Sequence, residues 1–157
     1  MNTNEMLINK FYTSFQNKDF KSMQECYTDD AYFNDPVFLN LNADQVKAMW
    51  EMFCVKGKDL KVDFKNVSAN EKSASAEWMA VYTFSATGKK IVNHIKSNFI
   101  IEQGKIAKHI DQFNFYDWAK QALGISGLLL GWTSFVKNKI RRAAMKNLDD
   151  FMKRVGR

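Results

Sequence analysis

The stretch Gly88–Trp118, GKKIVNHIKSNFIIEQGKIAKHIDQFNFYDW, decides how the rest of the chain must be arranged. In its first arm Ile91, Asn93, Ile95, Ser97, Phe99 and Ile101 take the odd positions, with His94, Lys96 and Asn98 between them. Alternation with a period of two marks a strand buried on one face. The second arm, from Lys105 to Phe115, carries a conflict, because Ile106 and Ile110 share one parity while Ala107, His109, Asp111, Phe113 and Phe115 share the other. The turn decides which parity points inward. A three-residue loop Glu102-Gln103-Gly104, with Gly104 left-handed, is the expected connection. It pairs Ile101 with Lys105, Ser97 with His109 and Ile95 with Asp111, so that the odd residues of both arms share one face. A two-residue loop would slip the register by one and turn Asp111 away.

Working outward, Leu60, Val62 and Phe64, then Trp78, Ala80, Tyr82 and Phe84, alternate with polar residues, and Asn70-Glu71 and Ala86-Thr87-Gly88 supply turns. With the hairpin these make a four-stranded antiparallel meander. Upstream the period is helical. Thr3 is the expected cap of a helix with Ile8, Phe11, Tyr12 and Phe15 on one stripe, and Asp19 caps a second with Phe20, Met23, Cys26 and Tyr27 inward. Asp29-Asp30 reads as a turn before a short strand, residues 31–34, which ends at Asp35-Pro36 because the residue before proline is held extended. Asn42 and Gln45 form a capping box for a helix stopped at Gly57. Downstream, Asp117 caps a short helix ending at Gly124, Gly127–Trp132 is apolar and irregular, and a last helix from Thr133 carries Val136, Ile140, Ala144, Leu148, Phe151 and Val155 on one stripe. Helices followed by a meander give an α+β fold with helices against one sheet face.

A chain of 157 residues that is 46% hydrophobic and 14% aromatic suits one domain with a sizeable core. One proline and seven glycines leave no room for a disordered linker. No apolar run approaches the roughly 20 residues of a membrane span, and MNTNEMLINK lacks a signal-peptide layout, so a cytoplasmic protein is expected. Cys26 and Cys54 lack metal spacing and read as reduced core thiols; neither a metal nor a cofactor is expected. The net charge of +6 is concentrated: residues 137–157 hold eight of the 23 Lys/Arg and two of the 17 acids, so the body is balanced and the tail basic. The expected organisation is a body over residues 1–124 and a basic helical extension over residues 125–157. The tail reads as a solvated face on a helix packed across a pocket mouth or a dimer. Alternatively it contacts a membrane surface weakly through residues 127–157, or a phosphate-rich partner; nucleic acid is not expected.

Three segments, FYTSFQNKDFKSMQECYTDDA (11–31), TDDAYFNDPVF (28–38) and GKIAKHIDQF with its following Trp118, resemble in order and spacing the nuclear transport factor 2-like superfamily, close to its SnoaL-like polyketide cyclase and ketosteroid isomerase-like branches. The resemblance covers about residues 5–118. It implies a cone, in which a strongly curved antiparallel sheet wraps the N-terminal helices around an apolar pocket, and a homodimer through the outer sheet face. Asp35 matches the isomerase general base and Asp111 the acid/base aspartate of the cyclases. The isomerase oxyanion-hole tyrosine falls on Phe11 instead of Tyr12, and its oxyanion-hole acid on Ser97, near where cyclases place a histidine. No arginine precedes Arg141, so an Asp-Arg-Asp epoxide hydrolase arrangement is missing.

A carboxylate in an apolar pocket is pushed toward its neutral form and can exchange protons near neutral pH. Asp111 and Asp35 are therefore the candidate acid/base groups, with His109 and Ser97 orienting or polarising. The bland alternatives are an Asp-Pro turn for Asp35 and an outer polar edge for Asp111 and His109. The expected pocket wall comprises Phe11 and Trp50 from the helices, and Phe33, Trp78, Tyr82, Phe84, Asn93, Ile95, Phe99 and Phe113 from the strands. His94 belongs outside. The expected function is cofactor-independent isomerisation, cyclisation or dehydration of a hydrophobic carbonyl-bearing small molecule; the alternative is a non-catalytic binding module for such a ligand.

Overall fold

A computed structural model describes all 157 residues. The elements run α1 (Thr3–Gln16), α2 (Phe20–Glu25), β1 (Tyr27–Asn34), α3 (Ala43–Lys56), β2 (Lys61–Ala69), β3 (Ser73–Phe84), β4 (Lys89–Glu102), β5 (Lys105–Gln112), α4 (Phe115–Leu123), α5 (Ile125–Leu130) and α6 (Ser134–Val155). The five strands form one open sheet in the order β1-β5-β4-β3-β2. The expected meander is β2–β5. β1 joins it parallel to β5, pairing Phe33 with His109 and Asn34 with Ile110, so the sheet is mixed. Ile8, Phe11, Tyr12 and Phe15 of α1 and Val46, Met49 and Trp50 of α3 fill the concave side, against Phe33, Ile95 and Phe99.

The β4–β5 hairpin corrects the expected register. Gln103 and Gly104 have φ of 51° and 74°, and Glu102 pairs with Lys105, so the turn has two residues, both left-handed. Left alone, that turn would have put Asp111 outside. A bulge intervenes: Ile101 faces Ile106, Ile100 faces Lys108, and Ala107 has no partner between them. Beyond it Phe99 faces His109 and Ser97 faces Asp111. The bulge resolves the parity conflict of the second arm, because Ile106 points inward before it and His109 and Asp111 point inward after it.

Other departures are local. Asn2, not Thr3, caps α1, because it has Glu5 three residues on to complete a capping box. Asn114 caps α4, leaving Asp117 in the first turn, where it favours the positive helix end and pairs with Lys120 at 3.1 Å. Asp29-Asp30 lies within β1, and Tyr27 starts that strand instead of ending α2; its pairing with Ile106 of β5 overrides the helical periodicity. The Gly127–Trp132 stretch is not irregular, since most of it lies in α5. Asn42 and Gln45 cap α3, Asp19 caps α2 and Thr133 caps α6, all as the spacing predicts. α6 packs on α3 through Leu148 and Phe151, and Arg141 donates from Nε to the Pro36 carbonyl at 2.9 Å. No helix is long and apolar enough to cross a membrane.

Candidate active site

Asp111 ends two chains of buried hydrogen bonds, and their direction is fixed by indole donors at one end and the acceptor-only carboxylate at the other. An indole N–H only donates. In the first chain Trp50 donates to the Tyr27 hydroxyl at 2.8 Å, and because the Asp111 carboxylate can only accept from His109 Nε2, Nδ1 of the neutral ring accepts from the Tyr27 hydroxyl at 2.7 Å. His109 is then the tautomer protonated at Nε2, and it donates to Asp111 Oδ1 at 2.8 Å. In the second chain Trp78 and Tyr12 donate to Ser97 Oγ at 3.0 and 2.7 Å, and the Ser97 hydroxyl, its lone pairs occupied, donates to the same Oδ1. Ser97, His109 and Asp111 are all at most 3% exposed. Asp111 Oδ2 accepts from no protein donor, yet it is not among the sealed, unpartnered polar atoms, where Thr28 Oγ1 stands alone. The carboxylate therefore has one oxygen fully engaged and one free.

Both tyrosines are held as neutral donors. Burial pushes Tyr12 well above its usual value, and the Asp111 charge adds to this against the opposing Ser97 bond. Burial does the same to Tyr27, opposed by the Trp50 bond, with Asp111 again raising it. In reading Phe11 as the tyrosine-equivalent position, sequence comparison passed over the hydroxyls delivered by Tyr12 and Tyr27. Tyr12 sits on the apolar stripe of α1 like any core aromatic. The available signal was its place beside Phe11, one residue from the position where the resemblance expects a hydroxyl.

Asp35 occupies a different setting. Its Oδ1 accepts from the backbone N–H groups of Val37 and Phe38 at 2.7 and 2.6 Å, and its own N–H donates to the Phe38 carbonyl at 3.0 Å. This is the Asp-Pro turn of the bland reading, but in a half-buried place. Burial drives its carboxyl up to about 7; the two backbone bonds and Arg141 pull it down, and Asp111 pushes it up. The two candidate carboxylates thus lie within each other's field.

The expected pocket wall divides. Phe11, Phe33, Trp50 and Phe99 surround the His109 ring at centroid distances of 5.7, 5.0, 5.9 and 4.3 Å, and all are nearly inaccessible. Trp78 and Ile95 are buried beside them, paired across β3 and β4. Tyr82 and Phe84 are half-buried and meet Trp118, which donates to the Tyr82 hydroxyl at 2.8 Å and packs its ring 5.2 Å from Phe84. Burial raises the Tyr82 hydroxyl, the Trp118 bond lowers it, and the Asp35 charge adds a further rise. Phe113 is half-buried against the core. Asn93 borders a groove of about 560 Å³ between β4 and α4, together with the exposed His94. Cys26 and Cys54 are buried free thiols, pushed by burial to about 11.

This sheet, left open between β1 and β2 and backed by α1 and α3, defines the α+β class of nuclear transport factor 2-like cones. The family model described as SnoaL-like domain matches residues 8–109, and the chain belongs to that family. Solved structures with the same fold include a candidate polyketide cyclase from Pseudomonas putida KT2440, 20% identical with a TM-score of 0.65 over 78% of this chain and 99% of that one. An LEH-like epoxide hydrolase from M. tuberculosis is 18% identical, with a TM-score of 0.62 over 81% and 92%. A candidate isomerase from Bacillus subtilis is 20% identical, with a TM-score of 0.63 over 79% and 96%. At these identities the likeness is one of fold. No curated protein matches the chain.

Proposed function

We propose that the chain is a cofactor-independent enzyme that moves a proton alpha to a carbonyl in a hydrophobic small molecule, the step common to isomerisation, cyclisation and dehydration. The observation that carries this reading is the convergence of two donor chains on Asp111 Oδ1 while Oδ2 is left free. Asp111 Oδ2 takes the alpha proton. The Asp35 carboxyl, with its value near 7, donates to the developing enolate oxygen and recovers its proton in the return step. Ser97 and His109 hold the Asp111 plane, and the neutral hydroxyls of Tyr12 and Tyr27 hold them in turn.

The test is proton–deuterium exchange at the alpha carbon of apolar cyclic ketones, followed by NMR. The native chain accelerates exchange above the buffer rate, and Asp111→Asn loses at least roughly a hundredfold. Because Asp35 acts as an acid, the rate falls as pH rises through about 7. Exchange unchanged by Asp111→Asn overturns the reading. The aromatic closure around His109 favours a second reading, a binding module without turnover; tight ketone binding with exchange at the buffer rate would establish it.

A further inference from the structure

The C-terminal extension inverts the usual rule for a helix on a protein surface. α5 turns its glycine inward and its large apolar residues outward. A Cβ on Gly127 would stand 1.9 Å from the Ala119 carbonyl oxygen, so α5 lies directly on α4, and Tyr116 donates to the Leu128 carbonyl at 2.8 Å. The segment is thereby fastened with Ile125, Leu128, Leu129 and Leu130 between 51% and 77% exposed. Trp132 at 69% and Phe135 at 72% continue the same apolar run into the first turn of α6. Large apolar side chains exposed in succession along the chain in this way mark a binding surface.

Charge identifies what it meets. No acid occurs between Asp117 and Asp149, whereas Lys120, Lys137, Lys139, Arg141, Arg142 and Lys146 all fall in that span; Lys120 is paired with Asp117 and Arg141 donates to the Pro36 carbonyl. On α6, Phe135, Lys139, Arg142 and Lys146 recur at spacings of four and three, so the exposed stripe begins with an aromatic ring and continues with cations, opposite the packed stripe of Ile140, Ala144 and Leu148. Lys146 is paired with Asp150 at 2.8 Å, which leaves Lys139 and Arg142 as the free charges of that stripe. From another part of the chain, the Lys89 side chain lies over Gly124 at the start of α5. An apolar wedge with an indole, followed along the chain by exposed cations and by no acid before Asp149, complements an anionic bilayer surface, where rings and leucines enter the headgroup boundary and lysines and arginines meet phosphates. A neutral protein groove would require no such exclusion of acids.

We infer that residues 125–142 dock the protein on anionic lipid bilayers, with Leu128–Leu130, Trp132 and Phe135 inserted and Lys139 and Arg142 on the headgroups. This is independent of the proposed reaction. The experiment is co-sedimentation of the full chain with vesicles of equal parts phosphatidylglycerol and phosphatidylcholine. The chain pellets with these, does not pellet with pure phosphatidylcholine, and is released by molar salt. Trp132→Ser with Phe135→Ser lowers partition at least roughly tenfold, and Lys139→Gln with Arg142→Gln about thirtyfold; all four side chains are exposed on their helical or turn face, and circular dichroism verifies folding. Brominated lipid quenches native fluorescence but not that of the Trp132→Ser variant. Absent or lipid-independent pelleting overturns the inference, as does pelleting unaffected by both double variants. So does a dimer in sedimentation velocity that the Trp132→Ser, Phe135→Ser variant splits, because the patch would then be covered by a second copy.

Discussion

Asp111 and Asp35 are two buried or half-buried carboxylates in one electrostatic field, compensated in opposite ways. Asp111 receives both its donors from side chains, Ser97 and His109, each oriented by residues far away in sequence. Asp35 receives both of its donors from the backbone within three residues. The hydrogen bonds of a carboxylate held by its own turn depend on the local backbone alone. One held by β4 and β5, and at second hand by α1, β1, α3 and β3, reports on all of them.

The comparison is broken most severely by Asp111→Ala, which strands the Ser97 and His109 donors in a closed aromatic shell; urea unfolding should show a loss of about 3–5 kcal/mol. The corresponding Asp35→Ala loses only a turn, and should fall well short of that. Next, Tyr27→Phe leaves the Trp50 N–H and His109 Nδ1 without partners and should lose about 2–3 kcal/mol by the same measurement, although Tyr27 never touches Asp111. Asp35→Asn sharpens the contrast through pH. The folded carboxyl titrates near 7 and the unfolded one near 4, so the native chain binds more protons in between, and its stability falls as pH rises across that window. Asn keeps the Oδ1 acceptor and removes the charge. The variant's unfolding free energy should lose this slope and exceed the native value above pH 7, by about 1–2 kcal/mol after solvent screening at a half-buried site. Smallest is Gln103→Asn, which better suits the left-handed position before Gly104 and should add a few tenths of a kcal/mol in the same unfolding assay.

Much of this was legible in the amino acids. Alternation in residues 91–101, the capping box at Asn42 and the Asp-Pro turn are local signals, and each has its expected counterpart in the structure. The inward side of β5 was also foreseen, but through a three-residue loop that is not there. Two irregularities, a shorter turn and a bulge at Ala107, cancel in parity, and a period-two pattern records only parity. Tyr12 and Tyr27 escaped notice for a related reason: hydrophobic spacing places a ring in the core but does not say where its hydroxyl lands. α5 shows the converse: the apolar run expected to be irregular is mostly helical, with Gly127 inward and its leucines exposed.

The bond from Arg141 to the Pro36 carbonyl ties the extension to the turn that holds Asp35, and the guanidinium favours that carboxyl's ionised form. Such an influence is reciprocal. Whatever draws Arg141 away raises the proton affinity of Asp35, and every deprotonation of Asp35 seats α6 more firmly. The C-terminal helix and the turn that holds Asp35 are therefore coupled through one guanidinium, in the sense that the ionised carboxyl and the seated Arg141 favour each other.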